Sequence, residues 1–365
     1  MDRDVIGEAL DAALTPLLRE AVAAGTTPGA QVAVRIGDRV SWVITEGSTD
    51  YEGGLSVTPD TLYDLASLTK PFSALAAVRL AQRARLALDE PVGALWPGRF
   101  RPAIAALTLD ALLSHRAGLL AWVDAHHAIA LDECGSPGAR ARVLDVVDAT
   151  PVGASGAAVY SDLGYILAGE AMAQREGVSI DALVRREVIE PLSLPTAHAR
   201  GVGERWRDAS VAPTERCPWR GRVVQGEVHD ENAYALGGVA GHAGLFGTAA
   251  DVATLGRRCL DALGGRSAWL TADAMTAMIA PRDGGTHRLG WDGVSTGASS
   301  SGRYFGPRSF GHLGFTGTSL WCDPDRDTVV ALITNRVHPS RANAGIRALR
   351  PRVHDAIIPL LRGIE

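Results

Sequence analysis

The sequence predicts an α+β fold: an antiparallel β-sheet flanked by N- and C-terminal helices, with a mainly helical lobe inserted between the two halves of the sheet. Three observations predict it. Strand-like alternation is confined to the two ends of the chain, near residues 29–45 and 309–335, and the stretch between reads as helix. Both termini carry amphipathic helical patterns of the kind that cover a sheet face. With 365 residues, 46% of them apolar, the chain can bury a large core and is long enough for two lobes. On this reading residues 1–75 and 230–365 form the sheet lobe and residues 76–229 the helical lobe, and the boundary between them passes beside Ser67.

Taken in order, the first element is the amphipathic helix through Val5, Ile6, Leu10, Leu14, Leu17 and Leu18. Pro28-Gly29 then opens the alternating run Gln31 to Ile36, Gly37-Asp38 turns it, and Val40 to Thr45 returns as the second strand of a hairpin. Residues 72–90 are Ala/Leu-rich and predict a helix that continues from a Ser/Thr turn. Further helices are expected near 107–113, 139–149, 162–176 and 180–190, with Pro191 and Pro195 ending the run. The glycines of Leu236 to Leu245 lack the strand-then-helix context and the ribose-binding acid of a nucleotide loop, so no cofactor is expected. The last third returns to β character from Ser309 to Cys322, turns at Asp323-Pro324-Asp325, and runs from Thr328 to Asn335. A final amphipathic helix spans about 342–361.

Several classes of function are excluded by composition. The net charge of −5 comes from interspersed acids and arginines, with no basic run and no aromatic interleaving, which argues against nucleic acid as a partner. No apolar run reaches membrane-spanning length, and the charged start Met1-Asp2-Arg3-Asp4 lacks the apolar core of a signal peptide, so a soluble, cytoplasmic protein is expected. Cys134, Cys217, Cys259 and Cys322 are widely spaced and show no metal-ligand pattern; they read as single thiols, with two disulfides as the other arrangement.

The residue that organises the chemistry is Lys70, the only lysine among 36 Lys and Arg residues. Arginine cannot give up its proton near neutral pH and lysine can, so Lys70 is a candidate base that requires a lowered pKa. Ser67 lies three residues earlier, on the same face of a helix, and Pro71 confines the start of that helix to the neighbourhood of Ser67. A serine at a helix N-terminus has free N–H groups and positive potential beside its oxygen. Tyr160, in Val159-Tyr160-Ser161-Asp162, is a candidate proton relay at the start of a helix. Phe310-Gly311-His312-Leu313-Gly314-Phe315 reads as a strand whose glycines leave room for a substrate backbone alongside.

Together and in this order, Ser67-x-x-Lys70, Tyr160-Ser161-Asp162 and His312-x-Gly314 resemble the serine β-lactamase, penicillin-binding protein and esterase superfamily. Leu112-Leu113-Ser114-His115-Arg116-Ala117-Gly118-Leu119 is similar to that superfamily's Leu-Leu-x-His-x-x-Gly-Leu stretch. The resemblance implies Ser67 as acylated nucleophile, Lys70 as its base, Tyr160 as relay, and the N–H groups of Ser67 and Phe315 as an oxyanion hole. It also implies a β-lactamase-like fold and a small-molecule ester, amide or β-lactam as substrate. There are two departures from the lactamase pattern, and the second, His-x-Gly, is more similar to the esterases and D-aminopeptidases among class C β-lactamase relatives. Asp162 stands where lactamases of the Tyr-x-Asn kind have an amide, and His312 replaces the lysine that attracts a substrate carboxylate, which a neutral imidazole attracts less. The segment from Pro213 to Gly244, dense in His, Asp, Asn and Trp, reads either as a loop shaping the pocket or as one braced by its own hydrogen bonds.

Two other classes remain to be weighed. A metal hydrolase would use His229, Asp230 and His242, or His126 and His127; adjacent histidines diverge on a helix and face opposite ways on a strand, and no His-x-x-x-His pair occurs, so no metal is expected. A non-catalytic penicillin-sensing relative would keep the scaffold without turnover, which the intact Ser67, Lys70 and Tyr160 speak against. Oligomeric state is left open.

Overall fold

Thr328-Val-Val-Ala-Leu-Ile-Thr334 is apolar at every position but its ends, the mark of a strand covered on both faces. In the computed structural model, which describes residues 3–194, 198–199 and 210–363, it is an interior strand of a six-stranded antiparallel sheet. The strands are β1 (Gly29–Ile36), β2 (Val40–Gly47), β3 (Asp292–Gly293), β4 (Phe310–Leu313), β5 (Ser319–Asp323) and β6 (Thr328–Thr334), in the spatial order β2-β1-β6-β5-β4-β3. The N-terminal hairpin pairs with the C-terminal strands through β1 and β6, from Ala30↔Thr334 to Ile36↔Thr328. The two ends of the chain therefore close one sheet, as the sequence predicts.

Side-chain alternation on β6 divides the core between two faces. Val330 and Leu332 point, with Val32, Val34 and Trp321, into a cluster covered by the helices α1 (Arg3–Ala23) and α8 (Ile346–Ile357), whose Leu10, Leu14, Leu349 and Val353 fill it. Val329, Ala331 and Ile333 point the other way, with Leu320 and Cys322. There they meet α7 (Ala249–Leu263) and α2 (Thr69–Gln82) in an apolar cluster that continues through the central helices. Each large apolar side chain buried in this way contributes about 1.5–3 kcal/mol. The central helices that matter to the site are α3 (Leu109–Leu113), α4 (Pro137–Asp148), α5 (Asp162–Glu176) and α6 (Glu231–Ala235).

The elements differ from the sequence expectation mainly at their ends. The helix expected over 72–90 is α2 and stops at Gln82, because Ala84 takes a left-handed φ of 54°. That turn places Arg83 against Glu187 and Arg85 against Glu176 and drops Leu86 into the core, contacts worth more than the roughly 1–2 kcal/mol such a conformation costs. Ser309 to Cys322 is two strands joined by the turn at Gly314–Gly317, and the stretch expected as a helix over 180–190 is Ile180–Val184 followed by a π-turn, Arg185–Ile189. Pro195 lies outside the described residues. All four cysteines are buried and unpaired, and no helix among the described residues is long and apolar enough to cross a membrane.

Candidate active site

Between Tyr63 and Val78 every residue but one is buried, and the exception is Ser67. It sits in a 3₁₀ turn, Ala66–Leu68, that runs directly into α2. The turn is fixed from both sides. Asp64, itself buried, accepts the N–H of Ala66 (2.7 Å) and that of His229 (2.6 Å) on its two carboxylate oxygens, and Ala66 takes a left-handed φ of 48°. Thr316 and Thr318 donate from the far side to the carbonyls of Asp64 and Leu65.

One helical turn on, Lys70 is fully buried and its Nζ donates to Ser67 Oγ at 2.7 Å. The spacing alone accounts for this contact. The sequence did not show that Asp162 Oδ1 lies 2.6 Å from the same nitrogen. Burial by itself lowers the pKa of Lys70, but the Asp162 carboxylate, with Tyr160 behind it, outweighs burial and holds the ammonium above its ordinary value. The direction is therefore the reverse of the lowered Lys70 that the sequence leads one to expect, because the carboxylate beside it favours the ammonium. Asp162 is thus paired with Lys70 while its side chain still borders the cleft.

Tyr160 stands immediately before α5 and is held by the segment after α3. His115 accepts the Ser161 N–H on Nδ1 (3.0 Å) and receives the Val159 N–H on its carbonyl (2.9 Å), while Ser161 Oγ donates to Leu120 O and caps α5. The Tyr160 ring lies beside Lys70, whose Nζ is 4.8 Å from the ring centroid, and Lys70 and Ser67 both act on the phenol's pKa. Burial raises the Tyr160 pKa more than Lys70 lowers it, so the resting group is a neutral phenol. Three imidazoles surround the ring, His115 at 4.6 Å, His287 at 5.5 Å and His312 at 6.1 Å between centroids. Burial, and after it neighbouring positive charge, holds His115 and His312 well below the ordinary histidine value.

On β4 the alternation of the strand sorts the motif. Gly311 pairs with Trp321, and a side chain on it would collide with that indole and with the Leu320 carbonyl, so this glycine serves sheet packing rather than a substrate backbone. His312 faces the other way, into the cleft. Its Nδ1 lies 2.8 Å from the Leu313 carbonyl, which can only accept; a neutral ring with Nδ1–H donating there presents Nε2 as an acceptor. Gly314 has no room for a side chain against Thr318 and Leu65, and the next residue, Phe315, is half exposed, with no acceptor for its N–H among the described residues.

These groups line a cleft of about 620 Å³. Ser67, Tyr160, Asp162, His312, Gly314 and Phe315 all border it, so every expected site residue except Lys70 reaches its surface and Lys70 lies directly beneath. His229, Asp230, Glu231 and Ala243 form another wall, which identifies the 213–244 segment as one that shapes the cleft. It is also internally braced: His229 pairs with Glu215 and His242 with Asp230, each at 2.9 Å. Burial would raise Asp230, but His242 and the Ala233 N–H hold it down at about 2. The glycine run 236–245 packs on α5, where a side chain on Gly241 would strike the Tyr165 carbonyl. The sequence reasoning missed His287, Asp292 and Arg336, and it treated Arg347 and Arg350 only as parts of the final amphipathic helix. Nothing local marks these residues.

The expectation that adjacent histidines diverge fails at His126-His127, which lie on the 3₁₀ turn Ala125–Ala128 with ring centroids 4.2 Å apart. Neither borders the cleft.

A β-lactamase family model matches residues 14–353. N-acetylmuramyl-L-alanine amidase of Bacillus subtilis (strain 168) is 30% identical over 359 residues, covering 88% of this chain and 80% of that protein. A protein of Escherichia coli (strain K12), provisionally named a D-alanyl-D-alanine carboxypeptidase, is 28% identical over 319 residues, 80% of this chain and 73% of its own. Among solved structures, EstCE1, a hydrolase with promiscuous acyltransferase activity, superposes with a TM-score of 0.76 at 19% identity, covering 97% of this chain and all of that one, which establishes likeness of fold.

Proposed function

The chain belongs to the β-lactamase family, and on that premise we propose that it is a serine hydrolase forming an acyl-enzyme on Ser67 and acting on small esters or amides. The observation that carries the reading is the contact of 2.7 Å between Lys70 Nζ and Ser67 Oγ at the floor of an open cleft. The division into a sheet lobe (1–75 and 230–365) and a helical lobe (76–229), with the site between them, is part of the same proposal.

Because Lys70 rests as an ammonium, attack requires that it first lose a proton, and Asp162 is in contact to take it. A substrate that excludes water from the cleft favours the neutral amine and carboxylic acid over the charged pair. Lys70 then accepts the Ser67 proton, and Oγ forms the bond to the acyl carbon. The carbonyl oxygen takes up the negative charge beside the N–H groups of Ser67 and Phe315. On collapse the bond to the leaving group breaks, Tyr160 gives that group its phenolic proton, and Lys70 restores the phenol. Water reverses the sequence to release the acid.

Neutral His312, with an acceptor nitrogen toward the cleft, favours uncharged acyl donors over substrates bearing a carboxylate at that point. A second reading is an amide or peptide substrate: the name of the Bacillus relative supports an amide bond, and that of the Escherichia relative supports a D-residue in it. Intact-mass spectrometry after exposure to p-nitrophenyl esters, nitrocefin and D-alanyl amides distinguishes these readings: the adduct mass names the acyl group. It is expected on the native chain and absent from Ser67→Ala. Adduct formation without turnover would point to a sensor, and an adduct on the Ser67→Ala protein would overturn the assignment.

A further inference from the structure

Outside the cleft, Asp124, His126 and His127 bring one donor atom each within 4.8 Å of one another, and among the described residues no other three His, Cys, Asp or Glu side chains do so. Their local structure explains why. Ala125–Ala128 winds as a 3₁₀ turn, and the two imidazoles lean together at 49° instead of diverging. Each donor is also oriented from behind. Trp122 Nε1 donates to Asp124 Oδ1 at 3.1 Å, which leaves Oδ2 for another partner. Asn232, fully buried and anchored to the Val123 carbonyl, accepts the His126 backbone N–H (2.9 Å) on Oδ1, with His126 Nδ1 3.4 Å from the same oxygen. A proton on Nδ1 aimed at that oxygen leaves Nε2 with its lone pair free. Backing of a histidine by an amide or carboxylate oxygen on its second nitrogen is the usual support of a metal-ligating imidazole. His229 and His242 lack this freedom, since each is committed to a carboxylate.

We infer that Asp124, His126 and His127 form a binding site for a divalent transition ion, two imidazole nitrogens and one carboxylate oxygen leaving a fourth position for water. That donor set suits zinc or nickel and is a poor match for magnesium or calcium, which take oxygen ligands. The ion would not lie over Ser67, because none of its three ligands borders the cleft. It would act on the cleft wall: Asp124 holds Trp122, whose ring borders the cleft and approaches His242 edge-on at 6.5 Å. The site is therefore structural, tying the 122–128 segment to α6.

The test is calorimetric titration of the tag-free, chelator-treated full chain with zinc chloride, repeated on Asp124→Asn and His127→Ala. Both positions are exposed, so neither variant removes core packing. The native chain is expected to take up one ion and to gain melting temperature on doing so. Each variant should bind at least about tenfold more weakly, as loss of even a supporting group around a metal typically costs, and its metal-free melting temperature should match that of the native chain. Absence of binding by the native chain, or equal binding by the native chain and both variants, would overturn the assignment.

Discussion

Asp162→Asn isolates the contact that decides how Lys70 is held. The carboxylate oxygen lies 2.6 Å from Nζ, and two unit charges at that distance attract by about 6 kcal/mol at an effective dielectric of about 20. Asp162 is 18% exposed on its side chain, so water screens part of that attraction. An opposite charge this close ordinarily moves a titration by about one to three pH units, or roughly 1.4–4 kcal/mol. Asparagine keeps the shape and removes the charge, leaving burial, which disfavours the ammonium, without its main opponent. The titration midpoint of Lys70 should therefore fall by about one to three pH units in the variant. As the chain has a single lysine, incorporation of lysine labelled with ¹³C at Cε gives one side-chain NMR signal to follow against pH. With Lys70 as the base and no carboxylate left to take its proton, kcat/KM of the variant for a neutral ester should rise through the Lys70 midpoint that the NMR titration gives. Equal midpoints in the two proteins would refute the argument that Asp162 keeps Lys70 protonated.

Three further outcomes follow from the geometry. Lys70→Arg should cost at least about a thousandfold in kcat/KM while circular dichroism shows the fold intact, since a guanidinium cannot release the proton that the serine step requires; an active variant would mean that the solitary lysine is an accident of composition. His312→Lys should raise turnover of anionic lactams at pH 7 and leave neutral esters unchanged, and equal gains on both would show that residue 312 does not select for substrate charge. Acidification should weaken the fold through His354, which burial lowers to about 4. Between that value and the ordinary histidine range the unfolded chain binds the proton and the folded chain does not, so stability is present above about pH 6.5 and is lost toward pH 4, by on the order of 3 kcal/mol. Urea titrations at several pH values measure the slope, and a flat profile in that window would contradict the burial of His354.

The sequence by itself determined whatever depends on neighbours along the chain. Ser67 and Lys70 meet because residues three apart share a helix face, Tyr160 opens a helix because Ser161 caps it, and β6 is covered on both faces because it has no polar alternation. The joining of both chain ends in one sheet was legible too, since strand-like runs occur at both ends of the chain and the stretch between them reads as helix. Tertiary structure alone decided what depends on distant groups. Whether Lys70 carries its proton rests on Asp162, brought from another helix, and charge at a buried group is set by the carboxylates and imidazoles that packing places beside it, whatever its position in a motif. His287, Asp292 and the C-terminal arginines reach the cleft by the same route, without any spacing that could announce them. The early end of α2 belongs here too: the residues after Gln82 suit a helix, but Leu86 had a core to fill and Arg83 and Arg85 had buried glutamates to meet, and those non-local contacts outweigh local propensity.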